Sequence, residues 1–250
     1  MIVYPNAKIN LGLNILRKRE DGYHDISSVF YPVKECVDVL EIVKSDNFEF
    51  TKSGIEIPNG ENICEKAWKL LHTDFEIGNV KIHLHKQISI GAGLGGGSAD
   101  ASFTLKALNK LFELKLTNIE LEKYALQLGA DCPFFIDNKP KLVEGIGEKM
   151  TSVDLDLSEY QIRLINPNIH ISTKEAYTDV VPRIPKKSIS DVIELPINEW
   201  KDKLRNDFED SVFLKYPKLK SIKEILYNEG SLYGSMTGSG GFFYSINLIS

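Results

Sequence analysis

The chain has 250 residues, 42% hydrophobic and 26% charged, with a net charge of −5. That is the composition of a soluble globular protein, one large domain or two packed lobes, and its acidic balance argues against a broad nucleic-acid-binding face. Cys36, Cys64 and Cys132 are scattered without metal-ligand or disulfide spacing, no apolar run reaches the ~18 residues of a membrane span, and no signal-peptide pattern opens the chain, so a cytoplasmic location is expected.

The first element is a strand. Ile9, Leu11, Leu13 and Ile15 share one face, and Lys8, Asn10, Gly12 and Asn14 share the other. Two readings of the polar face stand side by side. It is either a solvated edge of sheet, or a Lys–Asn donor pair for a phosphate or a hydroxyl. The following run, Arg17-Lys18-Arg19, reads as solvated loop, as does the pair Lys186-Lys187.

Short β-type segments are expected over 37–43 and 47–50, then a helix over 61–72 with Ile63, Ala67, Leu70 and Leu71 inward and Trp68 in the core. Alternation from Val80 to Leu84 predicts a half-buried strand. Behind it comes Ser89-Ile90-Gly91-Ala92-Gly93-Leu94-Gly95-Gly96-Gly97-Ser98-Ala99, with five of the chain's 18 glycines inside seven positions. Ser98 is the expected N-cap of a helix whose apolar face is Ala101, Leu105, Leu108 and Phe112. A strand, a glycine loop and a helix N-terminus make an anion site, because bare backbone N–H groups and the helix dipole both favour negative charge. The run is therefore read as a cradle for nucleotide phosphates. Gly91, Gly93 and Gly96 also match a dinucleotide fingerprint, but Glu113, at the right distance, closes no strand; and no lysine precedes Ser98 as a P-loop requires.

Thr117 and Glu120 form a capping box for a helix carrying Leu121, Ala125 and Leu128, with Gly129 as its stop. Asp131 follows on a corner where Pro133 should hold Cys132 extended and stop any helix. A carboxylate there, beside Phe134 and Phe135, suits a general base; the plainer alternative is a turn residue bonding its own backbone. Residues 142–148 read as strand and turn. The chain then divides into an N-terminal lobe, 1–149, and a C-terminal lobe, 150–250. The second lobe should hold a strand over 160–165 and helices over 199–214 and 217–228. Its last segment, from Leu232 through the glycine cluster at 238–241 to a terminal strand over 242–248, fits a hairpin turn as well as a phosphate contact.

Seven pieces in this order resemble the GHMP kinase superfamily: Ala7-Lys8-Ile9-Asn10-Leu11, Gly22-Tyr23-His24, the loop from Gly91, Gly129-Ala130-Asp131-Cys132-Pro133-Phe134-Phe135, Ile171-Ser172-Thr173 with Tyr177, Asn206-Asp207-Phe208-Glu209, and Met236-Thr237-Gly238-Ser239-Gly240. The resemblance implies an α+β, two-lobed GHMP kinase fold with the active site between the lobes. More narrowly, it implies the branch that uses ATP to phosphorylate the 2-hydroxyl of 4-(cytidine 5′-diphospho)-2-C-methyl-D-erythritol in non-mevalonate isoprenoid precursor synthesis. Its catalytic pair falls on Lys8 and Asp131, and its ATP-binding loop on residues 89–99. Tyr23 and Tyr177 would sandwich the cytosine, His24 would read its edge, and Asn10 would help hold substrate. Mg²⁺ is implied with ATP, and Ser98 is the one candidate ligand. The family commonly has proline where this chain has Ser89, and the sequence ends ten residues after Gly240. Two alternatives remain: a homoserine or mevalonate kinase of the same superfamily, against which Tyr23-His24 and Tyr177 speak, and a catalytically inert ligand sensor, against which Lys8 and Asp131 speak.

Overall fold

The computed structural model describes residues 1–249 and is an α+β arrangement with three sheets. Among the described residues eleven strands and eight α-helices follow in order: β1 (Ile2–Val3), β2 (Asn6–Lys18), β3 (His24–Val37), β4 (Val39–Lys44), β5 (Glu49–Gly54), α1 (Ile63–Phe75), β6 (Val80–Lys86), α2 (Gly96–Leu111), α3 (Asn118–Leu128), α4 (Cys132–Asp137), β7 (Lys141–Gly145), β8 (Lys149–Ser152), β9 (Tyr160–Ile165), α5 (Thr173–Thr178), α6 (Ile189–Ile193), α7 (Phe208–Lys215), α8 (Pro217–Asn228), β10 (Tyr233–Thr237) and β11 (Phe242–Leu248). The residues fall into two compact units that interleave along the sequence. One holds Met1–Lys8, Pro32–Ile90 and Gly95–Lys139; the other holds Ile9–Tyr31, Gly91–Leu94 and Pro140–Ser250, of which Ser250 lies outside the described residues.

In the first unit a sheet of order β1-β4-β6-β5 pairs β6 antiparallel with β4 and parallel with β5. Val80, Ile82 and Leu84 point inward from β6, and α1, α2 and α3 cover them with Ala67, Leu71, Ala101, Leu105, Leu108, Leu121 and Ala125. Trp68 is core: its ring stacks between Phe48 and His72, and its indole N–H donates to the Gly78 carbonyl at 3.3 Å. The capping boxes at Asn62 and Thr117 start α1 and α3.

The helix after the glycine loop begins earlier than its residue types suggest. Gly95 is the N-cap, with φ of 70°, so Ser98 lies inside the first turn and caps nothing. The left-handed backbone at Gly95 turns the chain into the helix before a hydroxyl is needed. Asp131 departs likewise. It has helical backbone angles, and Pro133 opens α4 instead of stopping a helix. Proline is at home in a first turn, where its missing N–H has no partner to lose.

In the second unit, β10-β11-β9 forms an antiparallel sheet, and β2-β3-β7-β8 forms another whose first two strands run on into the first unit along the chain. Its core joins Leu13, Ile15 and Ile26 to Phe208, Val212, Leu219, Leu226, Met236 and Phe243. The single helix expected over 199–214 is broken. A 3₁₀ turn at Ile197–Glu199 precedes irregular chain, and α7 starts only at Phe208. Asn206 and Asp207 cause the break by bonding elsewhere. The Leu13 N–H donates to the Arg205 carbonyl and the Asp207 N–H to the Leu13 carbonyl, each at 2.8 Å, so this segment extends alongside β2.

Candidate active site

Within the first unit, Lys8 and Asp131 come together from distant parts of the chain, with Lys8 Nζ 3.8 Å from Asp131 Oδ2. The lysine side chain is 4% exposed and the aspartate 35%, so the carboxylate opens to solvent while the amine is enclosed. Burial lowers the Lys8 pKa, and the Asp131 charge opposes that shift without cancelling it. The solvated-edge reading of β2 is overturned, because Lys8, Asn10 and Asn14 are all buried. The lysine stem runs past Gly95, where a Cβ would sit 3.0 Å from Lys8 Cγ and 2.9 Å from Phe135 Cζ. Glycine at the helix cap is thus what lets the amine lie beside the helix start. Phe135 meets Phe134 edge-on, and the Ser102 hydroxyl donates to the Cys132 carbonyl at 2.7 Å, fixing α4 to α2. The N-terminus of α2 has no side-chain cap, which leaves its first N–H groups for a ligand.

Within the second unit, loop residues Gly91–Leu94 lie against the C-terminal glycine turn. A Cβ on Gly93 would fall 2.9 Å from the Thr237 carbonyl oxygen, and one on Gly240 only 2.7 Å from the Ala92 carbonyl carbon. The cluster at 238–241 is therefore both the β10–β11 hairpin turn and the floor under the loop. The imidazole of His170 packs on Gly91. Asn10 is anchored from several sides. Its side-chain amide donates to Ser28 Oγ at 2.9 Å, its backbone N–H donates to Thr237 Oγ1 at 3.0 Å, and Tyr244 donates to its carbonyl at 2.9 Å.

His24 stacks on Tyr177 at 4.8 Å and 29°, and Tyr177 meets Phe208 edge-on at 4.8 Å. Tyr23 is 61% exposed at the surface turn. The ring lying on Tyr177 is thus His24, not Tyr23. Burial and the Lys18 charge lower the His24 pKa, which favours the neutral imidazole.

Sequence reasoning passed over Thr237, His170 and the supporting role of Asn206-Asp207-Phe208-Glu209. The Asn206 amide donates to the Met236 and Gly238 carbonyls, each at 2.9 Å. Glu209 accepts from Ser235 Oγ at 3.0 Å and from the Met236 N–H at 2.8 Å. Asp207 accepts from the Ile15 N–H at 2.9 Å. These side chains hold the hairpin that supports the glycine loop. Among the described residues no group of three or more His, Cys, Asp or Glu side chains is placed to hold a metal, and no helix is long and apolar enough to cross a membrane.

Comparison with known proteins shows the family. Residues 62–139 match the GHMP kinases N-terminal domain and residues 188–246 the GHMP kinases C-terminal domain. A 4-diphosphocytidyl-2-C-methyl-D-erythritol kinase of Azobacteroides pseudotrichonymphae is 50% identical over 98% of this chain and 93% of its own length. A crystal structure of a 4-(cytidine 5′-diphospho)-2C-methyl-D-erythritol kinase superposes with a TM-score of 0.85 at 30% identity, covering 98% of this chain and 90% of that one. A mevalonate kinase structure shares the fold alone, with a TM-score of 0.71 at 16% identity, over 100% of this chain and 91% of that one. The chain belongs to the 4-diphosphocytidyl-2-C-methyl-D-erythritol kinase family of the GHMP kinases.

Proposed function

We propose that the chain transfers the γ-phosphoryl group of ATP to the 2-hydroxyl of 4-(cytidine 5′-diphospho)-2-C-methyl-D-erythritol. The observation that carries this is the Lys8–Asp131 pair set beside an uncapped helix that starts on glycine. At 3.8 Å the two groups are an ion pair, not a tight hydrogen bond, and a hydroxyl oxygen fits as the link between them. It would donate its proton to Asp131 and accept from the Lys8 ammonium. Asp131 takes the proton as the oxygen attacks phosphorus, and Lys8 orients the hydroxyl and offsets negative charge building on the transferred group. Phosphoryl transfer needs little more from a protein than such positioning and neutralisation.

Residues 89–99 are proposed to bind ATP through backbone N–H groups. Ser89 supplies an N–H that the proline common at this position lacks. Magnesium, when bound, neutralises phosphate oxygens; a hard cation that keeps most of its waters and leans on phosphates suits a site with few acidic ligands, and the Ser98 hydroxyl is proposed to reach it. The two lobes are proposed as 1–149 and 150–250 because the matched family segments fall on either side of 149/150, whereas the compact units group residues 9–31, 91–94 and 140–149 with the C-terminal residues. The partner is a small molecule, and the net charge of −5 disfavours nucleic acid. A cytoplasmic enzyme acting on a soluble nucleotide-linked substrate is consistent with this reading.

Tyr23, His24 and Tyr177 are proposed to hold the cytosine, and Asn10 to help hold the substrate. For the base to lie on Tyr177, His24 must leave that face and turn to the base edge. Tyr23→Ala should leave thermal stability unchanged, since the ring is mostly exposed. It should raise KM for the cytidine substrate by about 5- to 100-fold, the worth of one base–aromatic contact, with KM for ATP unmoved. Steady-state kinetics with each substrate varied in turn checks this.

Lys8 also sets a pH dependence. Its pKa is lowered by burial, so it loses its proton at a lower pH than an exposed lysine. The ammonium is the form required, so kcat should fall as pH rises through that value. A Lys8→Arg enzyme, whose guanidinium does not titrate, should lack this alkaline limb. The kcat–pH profiles of the two proteins decide it. Substrate identity is tested by a coupled assay with the cytidine-linked alcohol, mevalonate and homoserine. Turnover is expected on the first alone; turnover only on another alcohol overturns the assignment.

A further inference from the structure

The basic run Arg17-Lys18-Arg19, where β2 ends, does more than face solvent. Arg17 Nε and Arg19 Nη1 both donate to the Asp25 carboxylate at the start of β3, the second at 3.3 Å. Arg19 also donates from Nε to Asp21 Oδ2 at 2.9 Å, and its Nη2 lies at the same distance from that oxygen. The other oxygen of Asp21, Oδ1, accepts the Tyr23 N–H at 3.1 Å. The Arg19 N–H donates to the Tyr23 carbonyl at 2.8 Å, and the Gly22 N–H to the Arg19 carbonyl at 3.2 Å. Gly22 has φ of 88°, a left-handed conformation that lets the chain reverse this tightly. Both backbone groups of Tyr23 are therefore bonded into one network of two arginines and two aspartates.

We infer that Arg19, held by Asp21 and Asp25, is a positioning residue for base recognition: it fixes the turn that presents the Tyr23 ring to the cytosine. This rests on the reading of Tyr23 as a base-stacking side chain.

A ring inside a core is held by its neighbours. The Tyr23 ring is mostly exposed, so its place has to come from its backbone. A lone ion pair at the surface contributes little, but this is a network. Arg19 is shared between two carboxylates and Asp25 between two arginines, so moving one member breaks several contacts. Both acids are held in their charged form. Arg19 keeps the Asp21 carboxyl below its ordinary range, and Arg17 with Arg19 does the same for Asp25. The turn is thus organised before a ligand arrives, and binding does not have to order it. Arg19 acts through this turn and not by touching substrate, since all three of its guanidinium nitrogens are turned to the aspartates.

Steady-state kinetics of the whole protein carrying Arg19→Gln, Tyr23→Ala or both, with each substrate varied in turn, tests this. Arg19→Gln should raise KM for the cytidine substrate by about 3- to 10-fold, because a displaced ring forfeits part of its stacking. Its kcat, KM for ATP and melting temperature should stay near wild type. In the Tyr23→Ala background the same substitution should change that KM by less than about twofold, since the two residues act as one unit. Asp21→Asn, nearly the same shape, is the second variant should Arg19→Gln lower the melting temperature. An Arg19 effect that persists in full without the Tyr23 ring, as a direct contact with substrate would give, overturns the inference. So does an Arg19→Gln enzyme with unchanged KM where Tyr23→Ala raises it; either result leaves base stacking standing. An unchanged KM in Tyr23→Ala itself overturns both.

Discussion

Asp131→Asn should reduce kcat by about 10²- to 10⁴-fold, the range for removal of a positioned general base. KM for ATP should change little. The variant should fold, because the Asp131 side chain is one-third exposed and makes no cap bond to α4, so its amide isostere fits the same corner. The substitution leaves Lys8 buried without its counter-charge, which favours the neutral amine and adds to the loss. ADP release by both proteins, measured at several pH values in the presence of the cytidine substrate, checks it. Equal rates would remove Asp131 from the chemistry. No release by either protein, with both substrates binding, would restore the alternative of an inert sensor.

The parts legible in the sequence were those written in local pattern. β6, α1, α3 and α8 follow from alternation, helical periodicity, the Thr117 capping box and a proline at the first helical position, all patterns within a few residues. The glycine loop was legible for the same reason. What escaped was set by residues far apart in the chain. Asn206 and Asp207 look like part of a helix until one sees that their side chains serve Gly238 and Ile15. Ser98 looks like a cap until Gly95, whose missing side chain leaves room for the Lys8 stem, turns the chain first. Periodicity marked β2 as two-faced, yet only tertiary packing decided that the Lys8 face is buried.

Gly240→Ala should have the second large effect, through backbone and not chemistry. The new methyl would meet the Ala92 carbonyl carbon at 2.7 Å, the Gly91 oxygen at 2.8 Å and the Gly93 nitrogen at 3.0 Å. All three are main chain, so no side chain can rotate away; the hairpin turn or the loop must shift. Overpacking of this kind costs about 1–3 kcal/mol of stability. A loop displaced by about an ångström should cost roughly 100-fold in kcat/KM for ATP. Gly97→Ala is the matched control, since a Cβ there meets nothing within 4 Å and the position is helical. It should raise stability by up to about 1 kcal/mol on helix propensity. Any loss of ATP affinity in that variant would report close approach of the phosphates and not damage to the fold. Thermal melts beside ATP-dependent kinetics separate the two outcomes. If Gly240→Ala kept both stability and nucleotide affinity, the support of the loop by the C-terminal turn would be incidental to function.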